Sequence, residues 1–329
     1  MAITLADAMV NAQADVDYAV IDDLRRNSWL MDQIVFDDCV SPGSAGATLT
    51  YGYTRLVTPA PAAFRAIGSE YTPGEAKRQR YTVDLKPIGG AFQVDRVLAR
   101  LGDATTNEIA FQMSELTKSI RTRFQDELIN GDTAVDAVGF DGLDKSLAGS
   151  STEITPSGGY VDWTADAITD TAGAHSALDL LDELVYSVQG GAAAILGNSK
   201  SIQRIRSLAR RAGYYTRDED SLGRTVERFG SAVLVDLGTK ATGSGPIVPI
   251  ESRDPGSGTV VTGLTDIYAV RFGLDGFHAV SVTGPLVQTY MPDFSAPGAI
   301  KRGEAELGPV AAVLKSTTAA AVLRNVKVQ

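Results

Sequence analysis

The chain has 329 residues, of which 44% are hydrophobic and 21% charged, so it is long enough to bury a sizeable core and to form more than one domain. A formal net charge of -10 argues against a dedicated nucleic-acid binder, because binding to phosphates requires a clustered excess of Lys and Arg. No run of about 18 apolar residues is present, and the acidic amino terminus is unlike a basic, apolar signal sequence, so we expect neither a membrane span nor secretion by that route.

The amino-terminal segment predicts an amphipathic arm or helix over residues 4–30. Apolar residues recur there at three- and four-residue steps, with acidic and basic pairs near the end. A break rich in Pro, Gly, Ser and Ala follows at residues 41–47.

Two alternating runs, residues 48–53 and 80–94, predict strands of an extended hairpin with a polar tip. Two strands alone are marginal in water, so this hairpin needs a neighbour to lie on. Two short basic clusters have acidic residues nearby in the sequence. One lies at the start of the second run of the hairpin, and the other is a pair of arginines later in the chain. We interpret them as a solvated face or a charge-paired subunit contact; they are Lys77, Arg78, Arg80, Arg210 and Arg211.

The segment after the hairpin predicts a long helix that is packed on one side only. It starts at Thr105 or Thr106 and stops at Asn130-Gly131, which tolerate the left-handed backbone that ends helices. At roughly 25 residues and about 1.5 Å per residue, it is nearly 40 Å long. Its apolar stripe comprises Ile109, Met113, Leu116, Ile120, Phe124 and Leu128, and the other faces carry Lys118, Arg121, Arg123 and Gln125. On this helix alone, a long core helix of an α+β enzyme is the favoured interpretation.

The second half predicts a compact α/β domain with a mixed sheet. A surface connection at residues 148–174 is followed by helices at 177–188 and 202–212, the second capped by Asn198 or Ser199. The predicted strands are residues 192–196, 232–236, 247–250, 267–272 and 279–282, with further β-type runs at 310–314 and 320–328.

Residues with catalytic chemistry are few. His175 and His278 are the only histidines, so the sequence offers few residues for a histidine-based catalytic triad or a two-histidine metal site. We expect one imidazole on the surface and one packed in the interior. Gly190-Gly191 lacks the Gly-Lys-Ser/Thr of a phosphate loop and predicts a turn into a strand. The single Cys39 predicts a small buried hydrophobe. The acidic cluster departs from EF-hand spacing and predicts solvated turn carboxylates; it comprises Asp132, Asp136, Asp141 and Asp144. We therefore predict neither an enzyme nor a cofactor.

The order of these elements resembles the Hong Kong-type capsid fold of tailed phages. The resemblance rests on the hairpin ending Val83-Asp-Leu-Lys-Pro-Ile-Gly-Gly, the helix ending Phe124-Gln-Asp-Glu-Leu-Ile-Asn-Gly-Asp, and Gly142-Leu143. In the second half, Ala192-Ala-Ala-Ile-Leu-Gly-Asn and Phe229-Gly-Ser-Ala-Val-Leu-Val are similar to the strand, helix and returning strand of the family's axial domain.

The resemblance implies an α+β shell subunit with four parts. These are an N-terminal arm (1–48), an extended hairpin loop (49–96), a peripheral domain with the spine helix (97–147 and 285–329) and an α/β axial domain (148–284). We expect residues of the hairpin, the spine helix and the turn after it to serve structure and assembly: Lys77, Arg78, Arg80, Leu116, Ile120, Arg121, Arg123, Phe124, Asn130, Gly131, Asp132, Gly142 and Leu143.

The resemblance also implies partners and a location. Copies of the chain are expected to form pentamers and hexamers of a virion capsid, assembled in the host cytoplasm around double-stranded DNA that is held weakly. A portal protein and a decorating protein are further candidates, and the early start of the arm favours a separate scaffolding protein. Lys77 and Lys86 lie on the predicted hairpin, yet Asn is absent between Asn198 and Asn325, so we predict no Lys-Asn cross-link. An encapsulin-type compartment shell and an α+β enzyme remain the alternatives.

Overall fold

A computed structural model describes residue 26 and residues 29–39, 47–97, 103–213, 215–219, 225–256, 258–282 and 287–329. The first half contains α1 (Trp29–Gln33), β1 (Phe36–Asp38), β2 (Thr50–Thr58), β3 (Lys77–Asp84), β4 (Lys86–Asp95), the long helix α2 (Asp103–Asn130) and α3 (Leu143–Leu147). Almost all of the predicted N-terminal arm and the break after it lie outside the described residues.

The second half begins with short strands and two helices: β5 (Glu153–Ile154), β6 (Val161–Asp162), α4 (Thr171–Tyr186), β7 (Ala194–Gly197) and α5 (Ser199–Ala212). The remaining strands are β8 (Tyr215–Glu219), β9 (Thr225–Phe229), β10 (Ala232–Asp236), β11 (Glu251–Arg253), β12 (Val261–Val270), β13 (Phe277–Ser281), β14 (Val287–Tyr290), β15 (Ile300–Leu314) and β16 (Ala320–Lys327), with a 3-10 turn at Thr317–Ala319.

A five-stranded sheet supports the long helix. Its order is β1-β13-β15-β14, and β4 also pairs with the 15-residue β15. Helix α2 contacts β4 and β15. A Cβ atom at Gly90 would lie 2.6 Å from Cδ1 of Leu116, so the absence of a side chain in β4 lets the helix approach the strand.

A nine-stranded mixed sheet forms the centre of the second half. Its order is β5-β16-β12-β7-β10-β9-β8, with β11 and β6 paired to β12 and β16. Alternating side chains of β7 enter two different cores: Leu196 joins the core that contains α2, whereas Ile195 joins the core beneath α4 and α5. This alternation follows from the two-residue period of a strand and places the two helices on the face opposite the long helix.

The hairpin is a separate two-stranded sheet. β2 pairs antiparallel with β3 from Thr50 opposite Asp84 to Thr58 opposite Lys77. Leu85 is buried directly after β3, and the chain then enters β4. The predicted single strand over residues 80–94 is therefore two strands that belong to different sheets.

Three strand pairings cross the predicted domain limits, which stay a prediction. β4, within the predicted hairpin loop, pairs with β15 from Lys86 to Asp95. β13, within the predicted axial range, also pairs with β15. β16, within the predicted peripheral range, is an inner strand of the nine-stranded sheet. Strand partners are chosen by long-range hydrogen bonds, which the alternation of a single run does not reveal.

Local signals in the second half mostly predicted the right elements. Asn198 caps α5 by accepting from Ser201 N at 2.9 Å, and Gly213 ends this helix at φ 74°. Helix α4 starts at Thr171, earlier than expected. Residues 247–250 form no strand, and the supposed surface connection carries the buried Trp163.

Candidate assembly surfaces

The two histidines lie in different environments, as predicted from the sequence. His278 is fully buried in β13, with Nδ1 3.3 Å from Gly276 O and its ring edge-on to Tyr51, whereas His175 is exposed on α4. Burial lowers the pKa of His278, which favours a neutral, packed imidazole. Cys39 is buried. Within the described ranges, no three side chains are grouped to hold a metal ion, and no helix is long and apolar enough to span a bilayer.

The base of the hairpin is fixed to the body of the subunit. Arg55 donates through Nη2 to Leu314 O at 2.8 Å and through Nε to Lys315 O at 2.9 Å. Its guanidinium carbon lies 4.6 Å from the Tyr81 ring centroid, and Tyr81 stacks on Tyr53 with centroids 5.6 Å apart. These contacts set the direction in which the hairpin projects.

The tip of the hairpin, residues 59–76, carries apolar side chains that the subunit leaves in solvent. The exposures of Phe64 and Ile67 are 106% and 105%, and Tyr71 is 63% exposed beneath the Arg65 guanidinium. The basic residues at the start of β3 are exposed as well: Lys77, Arg78 and Arg80. Exposed apolar patches of this kind mark interaction sites, and the role of the basic residues in assembly stays a prediction.

The long helix is packed on one side only along part of its length, and its last turns are buried on all sides. Met113 and Ile120 are buried and Leu116 is half-buried, whereas every residue from 124 to 129 is buried. The assignment of Gln125 to an outer face was therefore wrong. Its Oε1 accepts from Leu30 N at 3.1 Å and its Nε2 donates to Leu237 O at 2.9 Å, which joins α2 to α1 and to the chain after β10. Helical spacing alone does not reveal that the end of a helix is surrounded on all sides.

The turn after this helix depends on backbone contacts that exclude side chains. Gly142 N donates to Gly131 O at 2.8 Å, and a Cβ at Gly131 would lie 2.2 Å from Phe140 O. Asn130 donates to Ile247 O at 2.6 Å and to Asp126 Oδ1 at 2.7 Å. Phe124, Gly131, Gly142 and Leu143 are buried, so these candidate residues serve the fold of the subunit and offer no surface to a neighbour.

The acidic residues near this turn mostly organise it. Asp132 accepts from Ala134 N at 2.9 Å and from Lys145 Nζ at 3.0 Å, and these interactions lower its pKa. Asp141 accepts from Thr133 N at 2.9 Å, and Asp136 accepts from Val138 N at 3.1 Å.

Asp144 differs from the prediction of a solvated turn carboxylate. It pairs with Arg324 and accepts from Tyr268 Oη at 2.8 Å. Arg324 also contacts Glu153 at 2.8 Å and Asp266 at 3.1 Å, so one guanidinium ties α3 to three strands of the nine-stranded sheet. The sequence analysis missed this network, because a lone Arg in a β-type run carries no signal of its partners.

Arg121 and Arg123 of the long helix have different surroundings. Arg123 is half-exposed and pairs with Glu127 at 2.8 Å within the same helix. The Arg121 side chain lines a cleft of about 360 Å³ next to Arg26 and Met113, and its buried Nε has no hydrogen-bond partner among the residues described. A role of either arginine in assembly stays a prediction.

Comparisons with known proteins agree on the fold. No protein-family model matches the chain, and no curated protein matches it in sequence. Among solved structures, the SrpI encapsulin complex from Synechococcus elongatus is similar with a TM-score of 0.62 and 17% identity, covering 100% of this chain and 98% of that chain. The capsid of the native GTA particle, computed with fivefold symmetry, is similar with a TM-score of 0.56 and 15% identity, covering 96% of this chain and 98% of that chain. The capsid of Myoviridae phage XM1 is similar with a TM-score of 0.54 and 15% identity, covering 98% of each chain.

The chain therefore has the fold of tailed-phage capsid proteins, over nearly its whole length, as the order of its elements predicted. The same fold is present in an encapsulin shell. At these identities the similarity establishes the fold, and the function has to be argued from the surfaces of the subunit.

Proposed function

We propose that this chain is the major capsid protein of a tailed phage, a structural subunit that assembles with copies of itself into pentamers and hexamers of an icosahedral shell around double-stranded DNA. The observation that carries the proposal is the hairpin: its base is fixed to the body by Arg55, while Phe64 and Ile67 at its tip have no cover within the chain. A neighbouring subunit supplies such cover in a shell, where repeated interfaces bury apolar area.

The net charge of -10 supports a container for DNA. Like charge limits adhesion between the shell and its contents, so the binding energy comes from contacts between subunits. A separate scaffolding protein, a portal protein and a decorating protein are the further partners of such a shell. Its location is the virion, after assembly in the host cytoplasm.

An encapsulin-type compartment is the second candidate, because the encapsulin has the highest TM-score with this chain among the three structures described above. Its shell would hold a protein cargo in place of a genome.

Electron microscopy of particles purified from cells tests both proposals. Closed shells with nuclease-protected double-stranded DNA support the phage capsid, and closed shells that copurify with an enzyme and lack DNA support the compartment. Dispersed monomers of the expressed chain, at concentrations where capsid proteins assemble, would contradict both.

Covalent linkage between subunits is not expected. The Asn325 side chain donates to Gly159 O at 2.8 Å and accepts from Arg253, and Asn198 is buried as the cap of α5, so neither amide is free to react with Lys77 or Lys86. Boiled, reduced particles should run as a single band at 34.7 kDa in a denaturing gel. A ladder of higher-mass bands would show that this expectation is wrong.

A further inference from the structure

A cleft of about 360 Å³ runs along one face of the long helix α2. Arg26 contributes to its lining from outside the helix and is held in place by a β-bridge to Gly238 and an ion pair with Glu115 at 2.5 Å. A cleft of this size accommodates a small ligand or a side chain of another molecule. The helix residues that line it recur at the spacing of a single helical face: Met113, Ser114, Thr117, Lys118, Arg121 and Thr122.

Glu115 is the partner of two cations that line the cleft. It pairs with Arg26 and, at 3.1 Å, with Lys118 Nζ. Burial raises the pKa of Glu115, but the hydrogen bonds from Arg26 and Lys118 outweigh burial and lower this pKa overall, so the carboxylate is ionised. The third cation of the lining, Arg121, does not share this carboxylate.

Arg121 lacks the partner that Arg123, two residues further along the same helix, possesses. Arg123 pairs with Glu127 at 2.8 Å, one helical turn away. The residues at the three- and four-residue spacings from Arg121 are Thr117, Lys118, Phe124 and Gln125, none of them acidic. Within the described part of the chain Arg121 makes no ion pair, and its buried Nε has no hydrogen-bond partner. A buried donor without an acceptor lowers stability, so an acceptor from outside the subunit would satisfy it.

The other groups of the lining leave the donor role to the cations. Thr117 and Thr122 already donate their hydroxyl protons to Met113 O and Lys118 O, both at 2.9 Å, so toward a ligand they can only accept. Met113 provides an apolar wall, and the Lys118 side chain is 48% exposed at the rim. The acceptor that fits these surroundings carries negative charge.

We propose that this cleft binds an oxyanion group, a carboxylate or a phosphate, with the Arg121 guanidinium as its main donor. The planar fork of a guanidinium matches two oxygens of such a group, and charge-assisted hydrogen bonds are the stronger kind. The oxyanion comes from a free anion in solution or from an acidic side chain of another copy of the chain. The site belongs to a single subunit, so its existence does not depend on the proposed function.

Thermal unfolding of the full-length chain, below the concentration at which it assembles, tests the site with inorganic phosphate and with acetate. Sodium chloride at equal ionic strength is the reference. Phosphate at a hundred times its Kd should raise Tm by about 4 °C, because a ligand that binds only the folded state stabilises it. Phosphate also stabilises proteins by exclusion from their surface, so the readout is the part of the shift that requires Arg121.

Two methionine variants of the same helix separate binding from structure. Arg121→Met should lose the phosphate-specific shift and, without phosphate, should unfold at the same Tm as the unaltered chain or higher, because a charge without a partner has been removed. Arg123→Met is the control. It should lower Tm without phosphate, because the nearly buried Glu127 loses its partner, and it should keep the full phosphate shift.

Assembly in the presence of phosphate distinguishes the two sources of the oxyanion. If an acidic side chain of another copy fills the cleft, phosphate should inhibit shell formation by the unaltered chain, and Arg121→Met should assemble poorly with or without it. If a free anion is the ligand, shell formation by both chains should be insensitive to phosphate.

Equal shifts in the unaltered and Arg121→Met chains, with phosphate and with acetate alike, would overturn the site. So would an Arg121→Met chain that, without phosphate, is as destabilised as Arg123→Met, because Arg121 would then be satisfied within the subunit. Either result is obtained on single subunits and leaves the proposed shell intact. Absence of shells in electron micrographs would overturn the proposed function and leave the cleft as it is.

Discussion

The last turns of the long helix α2 and the tip of the hairpin contain similar apolar residues in opposite environments. Phe124 and Ile129 are completely buried, whereas Phe64 and Ile67 are completely exposed. Gln125 in the helix satisfies two backbone groups of distant segments, while Gln79 on the exposed hairpin accepts from Tyr81, at 3.3 Å, in its own strand.

This difference separates a part of the chain that is buried within one subunit from a part that, under the proposed function, a second copy covers. The end of α2 obtains all its contacts within one subunit, so its residues determine stability. The hairpin tip has no core of its own, so its residues can determine assembly with little effect on the stability of the subunit. Matched substitutions in the two regions can separate these roles.

The largest expected effect is from Leu116→Asp/Ile120→Asp. It places carboxylates against the five-stranded sheet, with Ile120 only 3% exposed, and should cost about 5 kcal/mol or more, enough to prevent folding. The matched hairpin variant, Leu56→Asp/Ile67→Asp, should yield soluble, folded subunits. Far-ultraviolet circular dichroism and solubility after expression measure both. A folded Leu116→Asp/Ile120→Asp variant would show that the packed face of the helix is wrongly assigned.

The next effect is from Gly142→Ala. The new Cβ would lie 2.6 Å from Glu127 O and 2.7 Å from Gly131 N, and both are backbone atoms that cannot move aside. We expect a loss of about 3 kcal/mol in the free energy of unfolding, at the upper end for overpacking. Gly52→Ala in β2 is the control, because its Cβ would meet only the flexible end of Arg80. Equal stabilities in urea unfolding would contradict the tight turn.

A moderate effect is expected from Gln125→Leu, which preserves size but leaves the buried Leu30 N and Leu237 O without their partner. Each unsatisfied group costs about 1–3 kcal/mol. Gln79→Leu, on the exposed hairpin, should change the free energy of unfolding by no more than about 0.5 kcal/mol. Chemical denaturation compares the two, and a Gln125→Leu chain as stable as the Gln79→Leu chain would remove the structural role given to Gln125.

The smallest effect on stability should come from Phe64→Ser/Ile67→Ser. Both side chains are fully exposed, so the free energy of unfolding should stay within about 0.5 kcal/mol of the original. Under the proposed function, shell formation should be lost, because a neighbouring subunit supplies the cover for the tip. Sedimentation of folded subunits and of particles separates the two readouts. Normal shells from this variant would exclude the tip from the assembly contacts.

Sequence patterns predicted the helices, strands and helix cap far better than they predicted which strands pair with each other. The long helix begins at Asp103, close to the expected Thr105, and ends at Asn130 as expected. The cap by Asn198 is correct because its hydrogen bond reaches only three residues along the chain. By contrast, the pairing of β16 with β12 was not predicted, because its register joins residues that are distant in the sequence, such as Ala269 and Ala321, which are 52 positions apart.

The candidate site shows the same limit. The sequence analysis named Gly131 from its helix-stop signal and Gly142 from the family resemblance, but only the close approach of Phe140 O and Glu127 O shows that they lie inside the subunit. The network around Arg324 was missed because its carboxylates come from three separate segments of the sequence.

The sequence by itself determined the amphipathic long helix, the hairpin strands, the helix cap and the order of elements, because these depend on spacing and capping within a few residues of each other. The tertiary structure alone decided where β4, β13 and β16 pair and that the end of α2 is buried on every side. These features depend on contacts between distant residues, and no local pattern encodes which distant residues meet.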